Sequence, residues 1–70
     1  MNAKIKENIN KNLDNIDVEQ YNRISQKLKF EDGRVLVVNM IYSRLEQFPN
    51  YSFENALADV EVTLKGFQND

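Results

Sequence analysis

Hydrophobic residues recur with helical spacing in four segments of the chain, and the first of these is the N-terminal segment. Ile5, Ile9 and Leu13 recur every fourth residue, which places them on one side of a helix. This pattern predicts a helix over residues 3–13. Six asparagines lie in the first third of the chain, and Asn side chains compete with the helical backbone for hydrogen bonds. We therefore expect residues 1–15 to form a weakly ordered helix or arm.

The second segment predicts a short amphipathic helix over residues 18–29. Asp17 is suited to the N-cap position, and Gln20 completes a capping-box pattern. Apolar side chains then share one side of the helix, while charged and amide side chains lie mostly outside it. The apolar residues of this segment are Val18, Tyr21, Ile24 and Leu28.

The region around Gly33 supports two interpretations. Asp32-Gly33 between alternating residues is typical of a two-residue hairpin turn, with strands over about residues 28–37. Alternatively, Asp32 is an N-cap and Gly33 opens a long helix that continues to Phe48. We favour the helix, because an isolated two-stranded hairpin is only marginally stable and the apolar residues continue with helical spacing beyond it.

The fourth segment predicts a well-delimited C-terminal helix. Pro49 ends the preceding helix, and Ser52 is suited to cap the next one. Gly66 is expected to end this last helix as a C-cap. The apolar stripe consists of Phe53, Ala56, Leu57, Val60, Leu64 and Phe67.

These segments predict a single small all-α domain, residues 1–70, folded as a bundle of three or four helices. An α+β fold with a hairpin at about residues 28–37 is the alternative.

The composition argues against catalysis. The chain has no His and no Cys, so the commonest general base, disulfides and thiolate metal ligands are all missing. Phosphate-binding, dinucleotide-binding, zinc-protease, nucleophile-elbow and EF-hand patterns do not occur in the sequence. We therefore expect a protein that is not an enzyme, with no cofactor, no metal ion and no small-molecule substrate.

Charge gives little reason to expect a nucleic-acid partner. The net charge is −2, with +1 on residues 1–34 and −3 on residues 35–70, and neither half forms a concentrated basic region. Residues 18–48 resemble a helix-turn-helix in outline. However, the second helix begins with Arg34 and then apolar residues, where a recognition helix needs polar and basic ones.

A small DNA-binding transcriptional regulator is nevertheless the alternative function. Its phosphate contacts would come from Lys4, Lys6, Lys11, Arg23, Lys27 and Lys29.

The sequence gives no sign of a membrane partner. The residues after Met1 are polar and Asn-rich, with no apolar signal-peptide region. The longest apolar-rich stretch, residues 35–42, is far shorter than the ~20 residues that a membrane span needs. A cytoplasmic location is therefore the expectation.

The third helix carries more apolar surface than one amphipathic stripe. Besides its main apolar face, Leu36 and Met40 project to a second side and Tyr42 to a third. Either the helix is central in the bundle, or a partner protein or a second copy covers the extra face. A 70-residue chain has a marginal core and gains stability by association, which favours a partner.

The last helix carries a small acidic surface of its own. Val62 lies opposite the apolar stripe, with Glu54, Asp59 and Glu61 around it. We therefore expect a non-enzymatic protein–protein interaction module, of the inhibitor, adaptor or antitoxin-like kind, that binds a protein partner or forms a homodimer. Leu36, Met40 and Tyr42 would form the apolar contact, and the acidic residues and Val62 would set specificity.

Overall fold

The computed structural model describes residues 2–68, and these residues fold into four α-helices with no strand. The helices are α1 (Ala3–Lys11), α2 (Val18–Lys27), α3 (Gly33–Gln47) and α4 (Phe53–Gln68), and a 3₁₀ turn (Leu13–Asn15) follows α1. The prediction of a small all-α bundle is confirmed. The hairpin alternative at residues 28–37 is wrong.

The chain reverses direction after α2 by a Schellman turn, at the position where the hairpin alternative placed its first strand. The Phe30 N–H donates to the Ser25 carbonyl oxygen at 2.9 Å, and the Lys29 N–H donates to the Gln26 carbonyl oxygen at 3.2 Å. Lys29 has a left-handed backbone with φ of 66°. These two bonds use backbone donors that a strand ladder would need, so the chain turns towards α3.

The start of α3 is fixed by two side chains. The Asp32 carboxylate accepts a hydrogen bond from the Val35 N–H at 2.9 Å, which confirms the predicted N-cap. The Gly33 N–H donates to Oδ1 of Asn22 in α2 at 2.8 Å. Two of the donors that a helix start leaves unpaired are therefore satisfied, one of them from a neighbouring helix.

α3 is the central helix, because it packs against each of the other three. α2 and α4 also contact each other, whereas α1 has no extensive contact with either of them. The core draws on every helix and consists of Ile9, Ile16, Tyr21, Ile24, Leu36, Val37, Ile41, Leu45, Phe53, Ala56, Val60 and Leu64. Its central position explains why α3 is apolar on several sides.

Two predicted N-termini form as expected, and a third lacks its predicted cap. Ser52 Oγ accepts from the Asn55 N–H at 3.2 Å, and Pro49 follows directly after the last turn of α3. Asp17 occupies the N-cap position of α2, but its side chain makes no capping hydrogen bond. The Asp17 half of the predicted capping box is therefore not formed. Asn2, which the sequence pattern did not single out, caps α1 through the Lys4 N–H at 3.0 Å.

The predicted C-cap at Gly66 is wrong, since α4 continues through Gly66 to Gln68 and Gly66 has no positive φ. Phe67 lies on the side of the predicted stripe by helical spacing, but it is 45% exposed. It lies within one turn of the end of the helix, beyond the last buried residue, Leu64. In residues 2–68, no helix is both long enough and apolar enough to cross a membrane.

Candidate interaction surface

The residues predicted to contact a partner are not on one surface of the fold. Leu36 is only 2% exposed and belongs to the core, so its place in the predicted apolar contact is a correction. It is buried because α3 is surrounded by the other helices, which cover the side that Leu36 occupies. Leu36 is therefore not available to a partner in this fold.

Tyr42 faces the N-terminus of the chain. Its side chain is half-buried against the core, and its hydroxyl accepts a hydrogen bond from the Asn2 backbone N–H at 2.6 Å. The phenol thus ties the start of α1 to the middle of α3. Tyr42 makes this contact within the chain, on a different side of α3 from Met40.

Met40 lines an open groove between α3 and α4, which we call the α3–α4 groove. Its volume is about 410 Å³. Residues one turn apart on α3 form one wall, α4 forms the other, and the turn after α2 closes one end. The groove is lined by Phe30, Asn39, Met40, Ser43, Arg44, Gln47, Val60 and Thr63.

The α3–α4 groove has an apolar floor and a polar edge. Val60 is buried, and Met40 and Phe30 are half-buried against the core. Asn39, Ser43, Gln47 and Thr63 supply neutral polar groups around them. An apolar floor with a polar rim is the usual anatomy of a protein-binding surface.

Arg44 is the one charged residue among the described residues that line the groove. Its Nε lies 3.8 Å from Oδ2 of Asp59 on α4, and the two side chains are 38% and 37% exposed. The guanidinium carbon lies 5.7 Å from the centre of the Phe48 ring. An ion pair this long and this exposed contributes little to stability, so Arg44 is available for a further partner.

An aromatic pair extends the surface beyond Arg44. The rings of Phe48 and Tyr51 are stacked, with centroids 4.9 Å apart and planes 21° apart. Phe48 is exposed and Tyr51 is half-buried. Apolar surface therefore continues from the groove to the loop between α3 and α4.

The other predicted residues of α4 lie away from the groove. Glu54 and Glu61 are exposed and fall on the side of α4 opposite Thr63 and Asp59, by helical geometry. Val62 is 72% exposed on the outer surface of α4. Of the seven predicted contact residues, the fold brings together only Met40 and Asp59, through Arg44 between them.

A second cleft lies between α1 and the C-terminal end of α3. Its volume is about 460 Å³. One side is formed by α1 and the other by α3 and the loop that follows it. The residues that line it are Asn2, Lys4, Ile5, Asn8, Leu45, Glu46, Pro49 and Tyr51.

Two observations describe the ionisable groups of residues 2–68. No group of three or more acidic residues in residues 2–68 is placed to hold a metal ion. The pKa of Tyr21 is raised by burial first, and then by the negative charges of Glu61 and Asp17. The Tyr21 phenol therefore stays protonated to a higher pH than a free tyrosine does.

The helix-turn-helix outline of the sequence corresponds to α2, the turn that follows it, and α3. A recognition helix lies in the major groove with its N-terminal side chains on base edges. Gly33, Leu36 and Val37 are buried here, whereas Arg34 at the start of α3 is exposed. The basic residues of α1 and α2 are exposed.

The sequence pattern did not identify Phe30 or Arg44 as parts of the surface. A signal for Arg44 existed, because Arg44 and Phe48 are four residues apart and so face each other on a helix. No such spacing identifies Phe30, because its place at the end of the groove depends on the Schellman turn at Lys29.

Comparison of the chain with protein-family models, with curated proteins and with solved structures gave no match.

Proposed function

We propose that this chain is a non-enzymatic protein-interaction module that binds one amphipathic helix of a partner protein in the α3–α4 groove. The observation that carries the proposal is the apolar floor of the groove, formed by Phe30, Met40 and Val60 inside a neutral polar edge. A regulatory or accessory role, as inhibitor, adaptor or antitoxin-like subunit, is consistent with one-to-one binding by so small a chain.

The shape of the groove favours a helix as the occupant. The groove runs between two sequential helices, so a third helix lying along it would bury its apolar side against both. Met40 supports such binding, because an unbranched thioether adapts to different apolar side chains. Phe67 follows Thr63 by one turn on the same side of α4 and is 45% exposed, which lengthens the apolar surface.

Charge indicates what the partner helix carries. Arg44 lines the groove, and its guanidinium makes a long contact to Asp59 through Nε and lies over the Phe48 ring. A guanidinium binds a carboxylate best through two parallel hydrogen bonds. The partner helix is therefore expected to place an Asp or Glu beside its apolar residues, opposite Arg44.

The proposal is tested by site-directed blocking of the groove. Ser43 is exposed at the groove edge, so Ser43→Arg fills the groove while leaving the core intact. Val62→Arg is the matched control, because Val62 is also exposed but lies on the outer surface of α4. Circular dichroism checks that both variants are folded.

The tagged chain and both variants are expressed in the native host, and captured proteins are quantified against the chain. Wild type and Val62→Arg are expected to capture a partner at one-to-one stoichiometry. The amount of partner captured by Ser43→Arg is expected to fall by at least about tenfold, because filling the groove removes more than ~1.4 kcal/mol of binding free energy. Loss with Val62→Arg and retention with Ser43→Arg would contradict the proposal, as would a one-to-one complex insensitive to both.

The charge of the partner is tested by reversal. Arg44→Glu is expected to weaken capture as Ser43→Arg does, and exchanging the partner's facing carboxylate for Lys is expected to restore it. Light scattering at micromolar concentration separates a second copy from another protein. A dimer that Ser43→Arg converts to monomer would identify the occupant as this chain itself and would overturn the partner named here.

A further inference from the structure

The attachment of α1 differs from that of the other helices. α2, α3 and α4 each contact the other two, whereas α1 packs extensively on α3 alone. Ile9 is the one fully buried residue of α1, and Ile5 is half-buried beside it. Removal of α1 would therefore leave three helices that still pack against one another.

The contact between α1 and α3 is also incompletely filled. The cleft of about 460 Å³ lies along it, between Ile5 and Asn8 on one side and Leu45 and Tyr51 on the other. At the edge, the Asn2 N–H to Tyr42 hydroxyl hydrogen bond is exposed to solvent. The cleft is open to solvent, so α1 covers this end of α3 only in part.

α1 has little stability of its own. It spans nine residues, fewer than the ~12–15 that an isolated helix needs in water. Asn8 and Asn10 lie inside it, and both lower helix propensity. Once undocked, α1 therefore unfolds, and its side chains stop covering α3.

The segment that joins α1 to α2 is suited to act as a hinge. It contains the short 3₁₀ turn Leu13–Asn15, which is held by side-chain bonds from Asn12 to Asn8 and from Asn15 to Asn12. Ile16, just beyond, is buried in the core and anchors the start of α2. A change of backbone direction at residues 12–15 would break these bonds and release Leu13 from the core, but would leave Ile16 in place.

We propose that α1 is a strap that opens and closes over α3 while α2, α3 and α4 stay folded. The open state exposes the side of α3 around Tyr42 and Leu45. This side is distinct from the α3–α4 groove, so the strap goes beyond the proposed function and stands independently of it. The strap controls access to a second apolar side of the central helix.

The test is native-state hydrogen exchange of the full chain, measured residue by residue by NMR. Amides of α1 are expected to exchange at least about tenfold faster than those of α3 after correction for intrinsic rates, because local opening requires less free energy than global unfolding. Measurable protection in α1 is also expected, since the strap is closed most of the time.

Two matched substitutions separate strap opening from global unfolding. Ile9→Val and Ile24→Val each remove one buried methyl group, from α1 and from the three-helix unit respectively. Such a change accelerates exchange through the affected opening by about 2- to 10-fold. Ile24→Val destabilises open and closed states alike, so it is expected to accelerate α3 amides and to leave α1 amides unchanged.

Ile9→Val destabilises only the closed state, so it is expected to accelerate α1 and α3 amides by the same factor. The proposal is overturned if Ile24→Val accelerates α1 and α3 equally, because α1 then opens only when the whole domain unfolds. It is also overturned if Ile9→Val leaves α1 exchange unchanged, which would mean fraying of the helix without undocking. Absence of any protection in α1 would show that the strap does not close.

Discussion

Gly33 occupies the place where the start of α3 comes closest to α2. A methyl group at this position would overlap the Val18 carbonyl oxygen and would lie 2.9 Å from Cβ of Tyr21. These neighbours are backbone atoms or the base of a side chain, so they cannot move aside without shifting α2. Gly33 is needed here for space, since its φ is not positive.

Replacing Gly33 by Ala is therefore expected to destabilise the fold. Overpacking of this kind costs about 1–3 kcal/mol, which for a domain of this size lowers Tm by about 4–8 °C per kcal/mol. Thermal unfolding followed by circular dichroism measures the change. An alanine variant as stable as wild type would show that α3 does not approach α2 as closely as described.

Gly66 provides the matched control, because the same substitution there is expected to have the opposite sign. A methyl group at Gly66 would meet no atom within 4 Å, and the residue lies inside α4 with helical backbone. Gly66→Ala is therefore expected to stabilise the protein by about 0.5–1 kcal/mol, through a smaller loss of backbone entropy on folding. A decrease in Tm would instead support the C-cap that the sequence pattern predicts at this position.

The two glycines show which predictions about single residues depend on how the helices pack. Asp32-Gly33 was compatible with a turn and with a helix start, and the N-cap at Asp32 is confirmed. The close approach at Gly33 cannot be predicted from local sequence, because the neighbouring atoms belong to Val18 and Tyr21 in the preceding helix α2. Gly66 was assigned wrongly because a glycine near a helix end is statistically a C-cap.

At the level of whole elements, α2 ends at a residue that is poorly suited to its conformation. Lys29 adopts φ of 66° in the Schellman turn, a position usually occupied by glycine. For a residue with a Cβ, the left-handed conformation costs about 1–2 kcal/mol. The turn persists because two backbone hydrogen bonds and the packing of Phe30 against the core hold it.

Lys29→Gly is accordingly expected to raise the free energy of unfolding by about 1 kcal/mol, since it removes this strain. Lys29→Ala is the control, because it removes the same charge from the C-terminal end of α2 but keeps the Cβ. Chemical denaturation of both variants measures the difference. The prediction fails if Lys29→Gly is no more stable than Lys29→Ala.

The helix α3 shows how far periodicity predicts a fold and where it stops. The apolar residues on several sides of α3 predict either a central helix or a helix whose extra face is covered by a partner. In the fold, α3 is the central helix. Periodicity could not tell which side each neighbour covers. Leu36 was therefore assigned to a partner although it lies in the core, while Met40, four residues later, lines an open groove.

On the scale of the whole molecule, Tyr21 joins α2 to α4 in the three-helix unit. Its ring is buried in the core, and Glu61 of α4 and Asp17 at the start of α2 both act on its hydroxyl. Burial disfavours the phenolate, and the two carboxylates repel it further. The pKa of Tyr21 is therefore raised above its ordinary value of 10.0.

This shift predicts how the stability of the protein falls at high pH. Between pH 10 and the raised pKa of the folded state, the unfolded chain releases the Tyr21 proton while the folded chain keeps it. The unfolded state then binds fewer protons, so the free energy of unfolding decreases as pH rises, whereas below pH 10 the contribution of Tyr21 is constant. Denaturant unfolding from pH 8 to 11 measures this decrease.

Tyr21→Phe keeps the ring in the core and removes the ionisable group, so it isolates this effect from the lysines and the other tyrosines. The difference in stability between wild type and Tyr21→Phe is expected to be constant from pH 8 to about 9.5 and then to change in favour of Tyr21→Phe. Glu61→Gln removes one of the two repelling charges, which lowers the pKa of Tyr21 in the folded state, and it is therefore expected to make the total alkaline loss of stability smaller. Parallel profiles for wild type and Tyr21→Phe up to pH 11 would mean that the hydroxyl of Tyr21 is not held between α2 and α4 as described.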